Sequence, residues 1–130
     1  MNLNFDVLII GTGIAGLSTA AKLSESGLKV AIVTRETDPT MTNTVYAQGG
    51  IIYSKGSEES LVEDILKASS GTSSLKVAKL VANESSKILE DLLIKKAETH
   101  FEHDEKGELR FTKEAAHSVA RILYKGDYTG

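Results

Sequence analysis

Six residues constrain this chain more than any others: Gly11-Thr12-Gly13-Ile14-Ala15-Gly16. They follow the apolar run Val7-Leu8-Ile9-Ile10 directly, and a second apolar run, Val30-Ala31-Ile32-Val33, comes after a helix-like stretch. The order strand, glycine turn, helix, strand is that of a dinucleotide-binding unit. Gly11 allows a tight turn off the strand. Gly13 lets a pyrophosphate approach the backbone, and Gly16 lets helix and strand pack closely. The pyrophosphate is expected on the free N–H groups at the helix N-terminus, where the helix dipole favours negative charge.

The flanks agree with this reading. Ile14, Leu17 and Ala21 form an apolar stripe, Ala15, Ser18, Thr19 and Ala20 are small, and Gly27 supplies a helix stop. The spacing predicts a buried parallel strand over Phe5–Ile10, a helix over Ile14–Ser26 and a second strand over Lys29–Thr34. The fold class is therefore α/β, a Rossmann-like domain. Two parallel strands make only part of a doubly wound sheet, which leads to the expectation that the chain is the N-terminal part of a larger domain.

The connection from Arg35 to Gly56 is long and holds the only proline, Pro39. Its apolar residues Val45, Tyr46, Ile51, Ile52 and Tyr53 are expected to pack against something. Leu61, Val62, Ile65, Leu66 and Ser69 predict one helix, with Ser57 or Ser60 as cap. Ala78, Val81, Ala82, Ser85, Leu89, Leu92 and Leu93 predict another, with Ser73 or Ser74 as cap. A hairpin is expected over His100–Phe111 around Lys106-Gly107. Thr112 to Lys125 has no clear period.

The chain has 130 residues, a formal charge of −3 and no cysteine. No basic stripe points to nucleic acid. The absence of cysteine excludes disulfides and thiolate chemistry and suits a reducing cytoplasm. The first apolar run is too short for a membrane span and has no basic region before it. His100 and His103 sit at an H-x-x-H spacing, but on a strand or hairpin they point to opposite faces, so no metal is expected.

The loop Asn43-Thr44-Val45-Tyr46-Ala47-Gln48-Gly49-Gly50-Ile51 and the segment Thr112 to Ser118, with Arg121-Ile122-Leu123 and Asp127-Tyr128-Thr129-Gly130, are similar to the flavoprotein family that contains L-aspartate oxidases and the flavoprotein subunits of succinate dehydrogenase and fumarate reductase. The resemblance implies FAD as cofactor, held by the glycine turn and by the flavin-contacting loop Asn43–Gly50. Gly49 and Gly50 would admit the ring close to the backbone, and Tyr46 would bury an apolar face. Arg35 follows the second strand, where a ribose or phosphate contact is expected; Arg35 and Glu36 leave NAD, NADP and FAD open until the loop is considered. Respiratory members carry a histidine, bonded covalently to the flavin, where this chain has Asn43. An amide cannot form that bond, so FAD is expected to be non-covalent.

Within the family, Asn43 and Tyr46 look like the L-aspartate oxidase branch. That resemblance implies oxidation of L-aspartate to iminoaspartate, oxygen or fumarate as electron acceptor, and quinolinate synthase as the consumer in NAD biosynthesis. It also implies that a capping domain and a C-terminal helical domain lie outside residues 1–130. Glu114 matches a glutamate that orients aspartate, where a carboxylate can face the substrate ammonium. His117 and Arg121 match the same segment and are carried over as further substrate-site candidates. A soluble fumarate reductase, an NAD(P) dehydrogenase and a non-catalytic nucleotide-binding remnant are the alternatives.

Overall fold

The computed structural model describes residues 3–129; Gly130, the last residue of the motif that begins at Asp127, lies outside them. The chain divides into two compact units, one running to Gln48 and the other from Gly49 to Thr129.

In the first unit, β1 (Val7–Ile10) and β2 (Val30–Val33) pair in parallel, with Val7 opposite Val30 and Ile10 opposite Val33. Between them runs α1 (Ile14–Ser24), a right-sized crossover that stops as Gly27 takes φ +74°. Asp6 fixes the start of the ladder, since its carboxylate accepts the Lys29 N–H at 2.8 Å. The expected β-turn-α-β order is present. The expected burial is not: Ile9 is buried, but Leu8 and Ile10 are 59% and 83% exposed, and α1 buries no residue completely. Two strands and one helix offer each apolar face too few neighbours to exclude water.

The second unit is built from β3 (Ile51–Ile52), α2 (Glu58–Ala68), α3 (Leu75–Leu89), a π-helical continuation over Glu90–Lys96, β4 (Phe111–Thr112) and β5 (Ile122–Leu123). The three strands form an antiparallel sheet in the order β3-β5-β4. Ile122 and Leu123 serve both neighbours at once, pairing with Ile52 and Ile51 on one side and with Thr112 and Phe111 on the other. Two-residue strands give no period to read, which is why residues 112–125 carried no sequence signal.

Both helices start where serines were expected, Ser57 and Ser74, yet neither side chain caps its helix. The Ser57 hydroxyl instead donates to the Ser54 carbonyl at 3.1 Å. On α3 the buried positions are Ala78, Ala82, Ser86 and Leu89, while Val81 is exposed. Ser86 replaces Val81 on the buried face because Ser54 needs polar partners there. Ser54 is fully buried; its N–H donates to Ser86 Oγ at 2.8 Å and its hydroxyl donates to the Ala82 carbonyl at 2.6 Å. Burying a hydroxyl is tolerated only when such partners exist.

The core gathers Leu89, Phe101 and Leu123, with Ile51, Tyr53, Leu93, Ile94 and Leu109 packed around them. Ile51 and Tyr53 thus pack as expected of the long connection, whereas Val45 and Tyr46 remain exposed. The hairpin near Lys106 is smaller than expected: one bridge joins His103 to Leu109, and Phe111 belongs to the sheet with β5. Asp104 closes its turn by accepting the N–H groups of Lys106 and Glu108, and Gly107 takes φ +80°.

Candidate functional site

The glycine turn is held by its own backbone. Gly11 has φ +114°, a conformation only glycine adopts easily, and its N–H extends the parallel ladder to the Val33 carbonyl at 2.8 Å. At Gly16 a Cβ would overlap the Gly11 carbonyl oxygen and come within 3.3 Å of Ile9 Cγ2. At Gly13 a Cβ would lie 3.3 Å from Thr44 Oγ1. Gly13 and Gly16 therefore have packing reasons inside the protein, and Gly11 a conformational one.

Thr44 connects two segments that the sequence separates by 30 residues. Its hydroxyl oxygen accepts the Ile14 N–H at 3.0 Å, at the N-terminus of α1. Gly13, the residue before α1, has no side chain with which to cap. The loop supplies the oxygen instead. The Asn43–Tyr46 turn is closed by Ala47 N–H donating to the Thr44 carbonyl at 3.1 Å. Val45 N–H also donates to Thr42 Oγ1 at 3.3 Å. Asn43, Val45, Tyr46, Ala47 and Gln48 are exposed, and Tyr46 buries no face here; its hydroxyl reaches Met41 Sδ at 3.1 Å. Arg35 is also exposed, with its Nε 2.8 Å from Glu36 Oε1.

This turn fits a dinucleotide. Thr12 Oγ1 is buried and has no hydrogen-bond partner, an unmet polar atom beside the glycines. The first turn of α1 carries no acidic side chain, so its dipole is free to attract an anion. Glycines at positions 11, 13 and 16 keep the approach open. Gly11–Gly16 would hold the pyrophosphate, with Thr12 as a further hydrogen-bonding group.

In the second unit, Gly49 and Gly50 differ in role. A Cβ on Gly50 would overlap Ile122 Cγ2 and the Leu123 carbonyl oxygen, so this glycine is required by the approach of β5. Gly49 has φ +81°, and a Cβ there would lie 3.3 Å from Glu114 Oε1. Thr129 donates its hydroxyl to the Gly49 carbonyl at 2.6 Å. The structure thus brings Glu114 to the glycine pair.

His117 is half-buried, its Nδ1 is buried without a partner, and with Ser118 it borders an open cleft next to Asp64 and Lys67. Arg121 is 1% exposed, and its guanidinium serves an internal contact. Nη1 faces Asp64 Oδ2 at 3.1 Å, and Nη2 donates to Ser60 Oγ at 2.6 Å. Asp64 escaped the sequence reading, although a signal existed: it lies three residues after Leu61, on the flank of an otherwise apolar face. Hydrogen bonds from the Ser118 N–H and hydroxyl, with the Arg121 charge, hold the Asp64 carboxyl below the usual aspartate range. His103 Nδ1 is 2.9 Å from the carbonyl oxygen of Phe101, and among the described residues no group of His, Asp and Glu is arranged to hold a metal.

Comparison with known families decides what the turn belongs to: residues 6–130 match the model of the FAD binding domain. The chain belongs to this FAD-binding family. FAD is the cofactor that the matched domain indicates, and the Rossmann-like reading of the fold stands. Among curated relatives, an L-aspartate oxidase of Clostridium acetobutylicum is 39% identical over 100% of this chain and 30% of its own length. An L-aspartate oxidase of Halobacterium salinarum is 34% identical over 96% of this chain and 24% of its own length. Among solved structures, the Mycobacterium smegmatis Sdh1 complex in its apo form matches with TM-score 0.85 and 26% identity, over 96% of this chain and 22% of that one. An Escherichia coli quinol fumarate reductase chain matches in fold, with TM-score 0.82 and 20% identity, over 98% of this chain and 22% of that one. The chain therefore spans less than a third of the length of these relatives. No helix among the described residues is long and apolar enough to cross a membrane.

Proposed function

We propose that this chain is the N-terminal FAD-binding part of an oxidoreductase that converts L-aspartate to iminoaspartate, with oxygen or fumarate as final electron acceptor. The observation that carries the substrate assignment is the Glu114 carboxylate beside Gly49, at the loop assigned to the flavin. A negative group there repels a plain dicarboxylate and attracts a substrate that places an ammonium between the two charges. The curated relatives named L-aspartate oxidase support the same assignment.

Bound FAD would supply the two-electron acceptor for oxidation at the substrate Cα–N bond. The chain's residues do the holding. Gly11, Thr12, Gly13, Ile14, Ala15 and Gly16 bind the diphosphate, and Arg35 is assigned to the adenosine end. Asn43 to Gly50 wall the ring, with Thr44 tying that wall to α1. Asn43 has no imidazole to offer, so the cofactor is held without a covalent bond. Glu114 orients the substrate ammonium, and His117 lines the cavity. Arg121 contributes through the turn it anchors, since its guanidinium is buried inside the unit, paired with Asp64 and bonded through Nη2 to Ser60.

The capping and C-terminal helical domains that complete the site lie outside these residues. The reaction is assigned to the cytoplasm, with quinolinate synthase using the imine.

The test is Glu114→Gln in the full-length protein. Losing one charge-assisted contact should lower aspartate kcat/KM by about 10- to 100-fold, with a smaller effect on fumarate reduction. Equal losses for both reactions would remove Glu114 from substrate selection. Fumarate reduction by a wild-type protein with no aspartate oxidation would assign the chain to a fumarate reductase instead.

A further inference from the structure

Two hydrogen-bond donors and one guanidinium charge converge on one oxygen of Asp64, a residue of α2 that belongs to none of the motifs above. Asp64 Oδ2 accepts the Ser118 N–H at 2.7 Å and the Ser118 hydroxyl at 2.9 Å, and faces Arg121 Nη1 at 3.1 Å. Asp64 is nearly covered, with its side chain 12% exposed, and the partner arginine side chain is 1% exposed. One turn earlier on the same helix, Ser60 Oγ accepts from Arg121 Nη2. The arginine backbone is fixed too: its N–H donates to the Thr112 carbonyl at 3.2 Å, and its carbonyl accepts the Tyr53 N–H at 2.8 Å. A helix and the start of the central strand thus meet through this carboxylate and the Ser60 hydroxyl.

What that carboxylate restrains is the turn carrying Glu114. The His117 N–H donates to the Glu114 carbonyl at 3.0 Å, closing the turn. The next N–H, that of Ser118, is the one taken by Asp64. Consecutive amides therefore tie Glu114 to its own turn and the turn to α2. The Glu114 carboxylate reaches Gly49 from this support.

We propose that Asp64 is a positioning residue for Glu114: by anchoring the 114–118 turn to α2, it sets where the substrate-facing carboxylate stands and so governs affinity for the substrate ammonium. This rests on the assignment of Glu114 given above. Displacing a positioned group by about 1 Å can cost up to about 100-fold in rate, so a residue that only holds the turn can still control turnover.

The experiment is a double-mutant cycle on the full-length, FAD-loaded protein: wild type, Asp64→Asn, Glu114→Gln and the double variant, assayed for aspartate kcat and KM and for fumarate reduction. Asp64→Asn should raise aspartate KM by about tenfold or more while leaving flavin content unchanged. In the Glu114→Gln background it should add less than about a factor of two, because the group it positions is already gone. Losses that multiply fully in the double variant would overturn the proposal and mark Asp64 as structural only.

Should Asp64→Asn lose its flavin, Ser118→Ala takes its place in the cycle. It keeps the Asp64–Arg121 pair and the backbone hydrogen bond while removing the hydroxyl, and the same non-additivity is expected with a smaller factor. A wild type that turns over aspartate, combined with additive variants, overturns the Asp64 role and leaves the Glu114 reading standing. A wild type without aspartate turnover overturns both.

Discussion

Among the described residues, the unit ending at Gln48 buries one side chain, Ile9, whereas the unit from Gly49 onward buries ten, from Ser54 to Leu123. The first unit is ordered by backbone geometry: a parallel ladder, a glycine turn with φ +114° at Gly11, and a helix whose first free N–H is met by Thr44. The second is ordered by packing between distant residues, since Leu89, Phe101 and Leu123 share one core. The difference separates two kinds of constraint. In the first unit, two strands and one helix give each apolar face too few neighbours, and backbone geometry replaces a core. In the second unit, a closed core and the Arg121–Asp64 ion pair fix the turn that carries Glu114.

That contrast can be broken by substitutions that respect only one of the two constraints. Leu61 is fully buried in α2, and Leu61→Ala should cost about 2–5 kcal/mol in thermal or denaturant unfolding, through lost burial and the cavity left behind. A loss below about 0.5 kcal/mol, the range of surface substitutions, would show that the second unit is not the stabilising one. Gly50→Ala tests the approach of β5. The new Cβ meets Ile122 and Leu123, so a destabilisation of about 1–3 kcal/mol is expected, measured in the same way. Gly27→Ala acts in the first unit through φ +74° alone, with nothing near the new Cβ, and should cost about 1–2 kcal/mol.

Acid sharpens the comparison further. Asp64 ionises below the usual aspartate value of about 3.9 because of its Ser118 hydrogen bonds and the Arg121 charge. A depressed folded value means that this contribution is fully present above the unfolded value and is lost as pH falls through the folded one. Acid titration should therefore loosen the 114–118 turn in the second unit below about pH 4, detectable as a lower amide protection factor at Ser118. Asp64→Asn should remove that acid-dependent step; its persistence would assign the transition to another carboxylate.

The sequence disclosed the two units unequally, for the same physical reason. Gly11 to Gly16 and their flanking strands are contiguous, so spacing alone placed the turn, α1 and Gly27. Burial was not legible there, because it depends on neighbours that spacing does not describe; Ile10 reads as core and is 83% exposed. In the second unit the helices were legible from period, but Val81 and Ser86 exchange roles because Ser54 needs an oxygen partner 32 residues away. The sheet of two-residue strands was invisible, and so was Asp64, whose meaning comes from Ser118, 54 residues on. Gly50 reads as a flavin contact in the sequence, and what the structure gives it is the close approach of Leu123 and Ile122. The Thr44 contact with Ile14 links two motifs that the residues identified separately.

The most direct measurement is the visible spectrum of the purified full-length protein, followed by acid precipitation. The account predicts a yellow protein with flavin absorbance whose colour passes entirely into the supernatant on denaturation, as FAD held by Gly11–Gly16 and Asn43–Gly50 without a covalent bond must. A protein that stays colourless after incubation with FAD, or whose flavin remains in the pellet, would contradict it.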